Sequence, residues 1–103
     1  MKRIINGKRF NTETASEIVG WDNDYFHNDF KFCQESLYRT PKGVFFLHGK
    51  GGALSKYSQS CGNASTGGEN IIPMTEDEVK EWLESTKNYN TMEELFNGDI
   101  EDA

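Results

Sequence analysis

The sequence predicts a small α+β domain, a modest antiparallel sheet built on a central hairpin at about residues 30–48 and flanked by short helices. Two observations carry that reading. Leu37-Tyr38-Arg39 and Val44 to His48 both suit strands, and Thr40-Pro41-Lys42-Gly43 between them puts Pro and Gly where a tight turn uses them. Thr75-Glu76-Asp77-Glu78 is a capping box opening a helix whose apolar stripe is Val79, Trp82 and Leu83. With 103 residues the chain is expected to form one domain over 1–98, with 99–103 an acidic tail that frays.

Taken in order, Lys2 to Asn11 holds two extended pieces around Asn6-Gly7, a dipeptide that favours a two-residue hairpin turn. Thr12 to Val19 reads as a short helix, with Ala15, Ile18 and Val19 on one face and Gly20 at its C-cap. Trp21 to Asp29 mixes aromatics with Asn and Asp and reads as a structured loop. Its aromatics are expected to anchor it on the core, with partner binding as the alternative. Asp22-Asn23-Asp24 lacks the glycine and distal glutamate of a calcium loop, which excludes that motif.

A two-residue loop in the central hairpin pairs Thr40 with Gly43. One face then carries Cys33, Glu35, Leu37, Val44, Phe46 and His48, and the other Phe32, Ser36, Tyr38, Phe45 and Leu47. In that register Cys33 and His48 are diagonal neighbours roughly 7–8 Å apart. A bulge at Gly43 would instead place them on opposite faces. His48-Gly49-Lys50-Gly51-Gly52 departs from the phosphate-loop pattern, because Gly51 stands where Ser or Thr is required. It reads as a turn needing positive φ, followed by a short helix from about Ala53 to Ser58. Ser58 to Gly68 reads as loop, and Asn70 to Met74 as a brief strand ended by Pro73. Met74 and Val79 occupy hydrophobic-staple positions around the capping box. Thr91 to Phe96 forms another turn or two of helix, stopped by Asn97-Gly98.

Charge is unevenly spread. Residues 1–68 carry nine Lys/Arg and six Asp/Glu, whereas 69–103 carry two and eleven, so a net −6 divides into +3 and −9. An acidic face repels nucleic acid and suits basic partners, including nucleic-acid channels of enzymes; an acidic helix also simply keeps a small protein soluble. The predicted helical pattern leaves Glu76, Asp77, Glu81 and Glu84 to solvent, with Glu93 and Glu94 as secondary candidates for partner contact. No apolar run approaches the roughly 20 residues of a membrane span, and no signal-peptide apolar region follows Met1, so an intracellular setting is expected.

In that setting two cysteines are free thiols or metal ligands rather than a disulfide. The strong-ligand set is His27, Cys33, His48 and Cys61, and tetrahedral zinc accepts two Cys and two His. The separations of five, fourteen and twelve residues match no zinc-knuckle spacing. Two buried thiols and two ordinary histidines are the plain reading, and the hairpin register and the otherwise untethered glycine loop strengthen the case for a structural zinc beside it. Covalent catalysis by Cys33 or Cys61 is disfavoured, since Cys33 points from mid-strand and reactive cysteines sit at helix N-termini or in open clefts. No active site is recognisable, and the chain is not expected to be an enzyme.

Two groups of residues carry a resemblance. One is Ile5-Asn6-Gly7-Lys8, Thr12-Glu13-Thr14-Ala15 and Leu37-Tyr38-Arg39-Thr40 with Lys42-Gly43. The other is Phe46-Leu47-His48-Gly49, Gly51-Gly52-Ala53, Gly67-Gly68-Glu69, Ile71-Ile72-Pro73 and Glu81-Trp82-Leu83-Glu84. Over roughly residues 3 to 84 the chain resembles a family of small proteins carried by phages and mobile elements of Gram-positive bacteria. It is also similar to phage anti-CRISPR proteins that inhibit the type II RNA-guided DNA nuclease, one of which contains zinc. The resemblance implies direct binding to that nuclease in the bacterial host cytoplasm, a block to DNA loading, no direct nucleic-acid binding and no membrane. It does not identify zinc ligands, and Cys33 lies outside the segments that carry it. The alternative is a metal-stapled host-takeover protein that binds another host nucleic-acid enzyme.

Overall fold

The computed structural model describes residues 1–103. Strands β1 (Lys2–Ile5) and β2 (Lys8–Asn11) form the expected hairpin, with Asn6 at φ 51° and Gly7 at φ 76° in the two-residue turn. Both central residues take the left-handed values that a twist-matched hairpin turn requires.

The predicted helix over 12–19 is a turn followed by a strand. Thr14 and Ala15 N–H both donate to the Asn11 carbonyl, and β3 (Ser16–Asp22) then pairs antiparallel with β4 (Cys33–Arg39). The register shifts between Glu17 and Val19, so Ile18 is an extra, bulged residue. A bulge lets the adjacent Ile18 and Val19 both pack against the same core, which mimics helical spacing. Gly20 therefore lies mid-strand, and the β-branched pair suits the extended backbone.

Strand β5 (Phe45–Gly51) completes the central hairpin, in a register one residue away from the simple two-residue loop. Arg39 faces Phe45 and Cys33 faces Gly51. Gly43 N–H donates to the Thr40 carbonyl at 2.8 Å, Thr40 N–H donates to the Val44 carbonyl at 2.9 Å, and Gly43 sits at φ 86°. This is the glycine bulge, and it inverts the face assignment of one strand relative to the other. Cys33, Glu35, Leu37, Phe45, Leu47 and Gly49 now share a face, while Ser36, Tyr38, Phe46 and His48 share the other.

The glycine run is not a positive-φ turn, and no helix spans 53–58. β5 continues through Gly51, and turns link Gly52, Ser55 and Ser58. Glycine is required there by lack of room. A Cβ on Gly49 would fall inside the Tyr57 ring, and one on Gly52 would lie 2.5 Å from the Phe30 carbonyl oxygen. The segment expected as loop after Ser58 contains a short hairpin, β6 (Gln59–Cys61) and β7 (Ala64–Thr66), turning at Gly62 with φ 63°. β8 (Gly68–Met74) runs past Pro73, which faces Phe46. The sheet order β3-β4-β5-β8 makes β8 an edge strand, so the missing proline N–H points where no neighbour needs it.

Helix α1 (Glu76–Ser85) carries the predicted capping box: Glu78 N–H donates to Thr75 Oγ1, and Thr75 N–H to Glu78 Oε1. Its C-terminus closes with Asn88 N–H on the Leu83 carbonyl and Lys87 N–H on that of Glu84, Lys87 taking φ 61°. That is a Schellman closure with lysine in the position glycine usually holds. It turns the chain directly into α2 (Tyr89–Phe96) and a following 3-10 turn at Asn97–Asp99. Val79, Trp82 and Leu83 pack with Phe96 on Leu37, Phe45 and Leu47, forming the larger core. On the opposite sheet face Phe46 and Ile71 pack with Phe10 of the first hairpin, whose ring meets Phe46 edge-on at 5.6 Å. No helix is long and apolar enough to cross a membrane.

Candidate functional site

The four residues expected as zinc ligands are not brought together. The bulged register puts Cys33 in the buried face beneath α1 and His48 on the other side of the sheet. His48 Nε2 pairs with Glu69 at 2.8 Å, the His27 ring stands edge-on to Phe32, and Cys61 is exposed in the β6–β7 hairpin. No group of three or more His, Cys, Asp or Glu side chains is placed to hold a metal ion. Cys33 and His48 therefore lie on opposite faces of the sheet rather than as diagonal neighbours on one face. The Cys33 thiol is pushed up by burial and then by the nearby Glu35 carboxylate, opposite to what a nucleophilic thiolate needs.

Beside Cys33 lies a polar cluster that the sequence reading missed. Glu35 is 3 % exposed, yet it accepts from Trp82 Nε1 at 3.1 Å, from the Tyr57 hydroxyl, and pairs with Lys56 Nζ at 2.7 Å. Burial alone would raise its pKa, but the bonds from Lys56, Tyr57 and Trp82 outweigh that and hold the carboxyl below its ordinary value. The same burial and the Glu35 charge push the Tyr57 hydroxyl far up, so it remains a donor. One carboxylate thus fastens α1, through Trp82, and the 52–58 turn, through Tyr57, to the same strand. Every donor and acceptor is satisfied, as a structural buried charge requires.

The acidic residues are placed as their helical spacing predicts. Glu76, Asp77, Glu81 and Glu84 of α1 and Glu93 and Glu94 of α2 are all exposed. None joins an ion pair: the three pairs in the molecule are His48–Glu69, Lys56–Glu35 and Lys80–Asp99. Lys80, the one cation on α1, sits 3.1 Å from Asp99 and over the Phe96 ring, and its hydrogen bond to Asp99 raises its pKa. Its direct pair is with the C-terminal segment, while Asp77 and Glu76 of α1 act on it only at longer range. Asp99, first residue of the tail expected to fray, is the residue it holds.

Along one side of this face runs an open groove. It is lined by the apolar side chains of Tyr89, Met92 and Ile100 and by the carboxylates of Glu84, Glu93, Asp99 and Glu101. Tyr89 is 57 % exposed and Ile100 39 %. Met92 follows Tyr89 by three positions, a helical neighbour visible in the sequence; the Schellman turn and the 3-10 turn that bring Glu84 and Ile100 alongside are not. The 23–32 loop departs from expectation in another way. Asn23 ties its base, donating through Nδ2 to the Lys31 carbonyl and accepting from Cys33 N–H, and Phe32 is its buried anchor. Tyr25, Phe26 and Phe30 stay exposed, Phe26 at 84 %. In comparisons with known proteins, no protein family, curated protein or solved structure matches the chain.

Proposed function

We propose that the protein works by binding, as a stoichiometric inhibitor that lays the acidic face of α1 and α2 over a basic, nucleic-acid-handling surface of an enzyme. The enzyme proposed is the RNA-guided DNA nuclease of type II CRISPR systems, in the bacterial host cytoplasm, with target DNA loading as the step blocked. The observation that supports this reading is that α1 and α2 expose six carboxylates with no ion-pair partner of their own. Unpaired surface charge of one sign steers association with the opposite charge, and such nucleases hold nucleic acid in positively charged channels. The surface acts by occupying that channel, so no catalytic group and no metal is needed.

The test is DNA binding and cleavage by the purified nuclease–guide complex, titrated with wild-type protein and with the variant Glu76→Lys/Asp77→Lys/Glu81→Lys/Glu84→Lys. Inhibition at one protein per nuclease should be lost in the variant while its circular dichroism is retained. Glu81→Lys/Glu84→Lys is the folding control, because Glu76 and Asp77 also complement the helix N-terminus. Inhibition left intact in the fourfold variant rejects the surface. Wild-type protein that neither binds nor inhibits the nuclease rejects the partner and turns attention to another basic host enzyme of nucleic-acid metabolism.

A further inference from the structure

We infer that the groove lined by Tyr89, Met92 and Ile100 is the docking site for an arginine-bearing amphipathic segment of a protein partner. This rests on the reading of the acidic face as a protein-binding surface and says where on that face the anchor contact lies. Charge selects the occupant. Glu84, Glu93 and Glu101 line the groove, and its only other charged group is Asp99, already held by Lys80 at 3.1 Å. An uncompensated negative lining excludes nucleic acid and anionic lipid headgroups, and favours a cation.

The apolar lining makes that cation part of a protein chain. Tyr89 and Ile100 are exposed at 57 % and 39 %, and Met92 is half-buried between helix and core. Their apolar surface is removed from water only by an apolar side chain laid on it, which a free polyamine does not supply. Arginine suits this site better than lysine, because its planar guanidinium stacks on a tyrosine ring while bonding two carboxylate oxygens. Tyrosine and methionine are also side chains enriched in the buried centres of protein interfaces. The Lys87 turn joins α1 to α2 on one side of the groove, and the Lys80–Asp99 pair ties the C-terminal segment to α1 on the other.

The experiment uses the full chain and a synthetic helical peptide with leucines on one face and arginines on the other. Lysine-for-arginine and aspartate-for-arginine versions and spermine serve as comparison probes. At physiological salt the arginine peptide should shift the amide resonances of Tyr89, Met92, Glu93 and Ile100, and bind more tightly than the lysine version. The aspartate version should not bind. Tyr89→Ser/Ile100→Ser, both at exposed positions and so compatible with folding, should weaken the peptide by about 10-fold or more. Glu13→Lys, an exposed position in the turn between β2 and β3 and outside the acidic face, should change its affinity by no more than a few-fold.

Unchanged affinity in the Tyr89/Ile100 variant overturns the proposal, as do shifts confined to residues 76–81. Spermine giving the same shifts with equal affinity also overturns it, reducing the groove to a diffuse charge. Peptide binding in the groove without nuclease inhibition by the wild-type protein would reject the named partner and leave the groove standing. Nuclease inhibition that survives Tyr89→Ser/Ile100→Ser but not the fourfold α1 reversal would reject the groove and leave the acidic-face reading standing.

Discussion

Gly49→Ala tests the idea that the glycine run exists to admit Tyr57. The new Cβ would lie within the space of the Tyr57 ring, which is 6 % exposed and cannot shift without leaving its seat. Eviction exposes much of an aromatic side chain of roughly 150–250 Å², worth about 4–6 kcal/mol at most at 25 cal/mol per Å². It also breaks the Tyr57 hydroxyl bond to the buried Glu35 carboxylate, a charged bond worth about 1.5–3 kcal/mol. Partial re-seating of the ring and the entropy that alanine removes from the unfolded chain, about 0.5–1 kcal/mol, offset part of this. The expected net loss is about 4 kcal/mol, against a total of about 5–15 kcal/mol for a domain. Urea denaturation followed by Trp fluorescence measures it, Trp82 being bonded to the same carboxylate. The decisive control is Gly49→Ala in a Tyr57→Ala background, where the alanine should cost less than about 1 kcal/mol because the clash has gone. A loss below about 1 kcal/mol in the wild-type background, or a full loss in the Tyr57→Ala background, would refute the argument.

Two further outcomes follow from the same geometry. Glu35 titrates below its ordinary value in the folded protein, so the stability it contributes is present above the unfolded carboxylate pKa, 4.5, and is lost as pH falls through the lower folded one. Glu35→Gln should cost about 2–3 kcal/mol at neutral pH, and the gap between variant and wild type should narrow as acid protonates Glu35; parallel stability curves from neutral pH to well below 4.5 would contradict this. Because the hairpin register separates Cys33 from His48, a strong chelator is expected to leave the melting temperature unchanged, checked alongside elemental analysis of untagged protein. One zinc per chain with a large drop on chelation would show that these ligands converge in a metal-loaded form.

What was legible in the sequence was local. Asn6-Gly7, the Thr75 capping box and the Val79–Trp82–Leu83 stripe each specify their structure within a few residues, and each appears where the pattern puts it. The two faces of the central hairpin hung on a single residue. With the strands and turn identified, the choice between a tight loop and a Gly43 bulge decides which side every side chain of β5 takes, and both options suit Pro-Lys-Gly. Ile18-Val19 misled for a related reason, since a bulge and a helix both place adjacent or near-adjacent apolar residues on one side. Glu35 was invisible because an isolated carboxylate in a strand reads as surface. Its partners lie 21, 22 and 47 positions away, where no local pattern reaches.

The acidic face and the Glu35 cluster are parts of one arrangement. Helix α1 has two sides with opposite requirements: Val79, Trp82 and Leu83 go into the core, while Glu76, Asp77, Glu81 and Glu84 face water. An apolar stripe three residues wide lets a ten-residue helix roll on a flat sheet, because dispersion contacts are not directional. The Trp82 Nε1–Glu35 bond is directional, and it acts at the centre of that stripe. With the packing of Val79 and Leu83 it restrains the rotation of α1, and the Schellman turn at Lys87 leads from there into α2. The same buried bond therefore helps hold the helix whose opposite side bears the exposed carboxylates and whose end leads into Tyr89 beside Glu84. The desolvation cost of that buried charge is offset by its bonds to Lys56, Tyr57 and Trp82, and a helix held in one orientation is the property the proposed docking face needs.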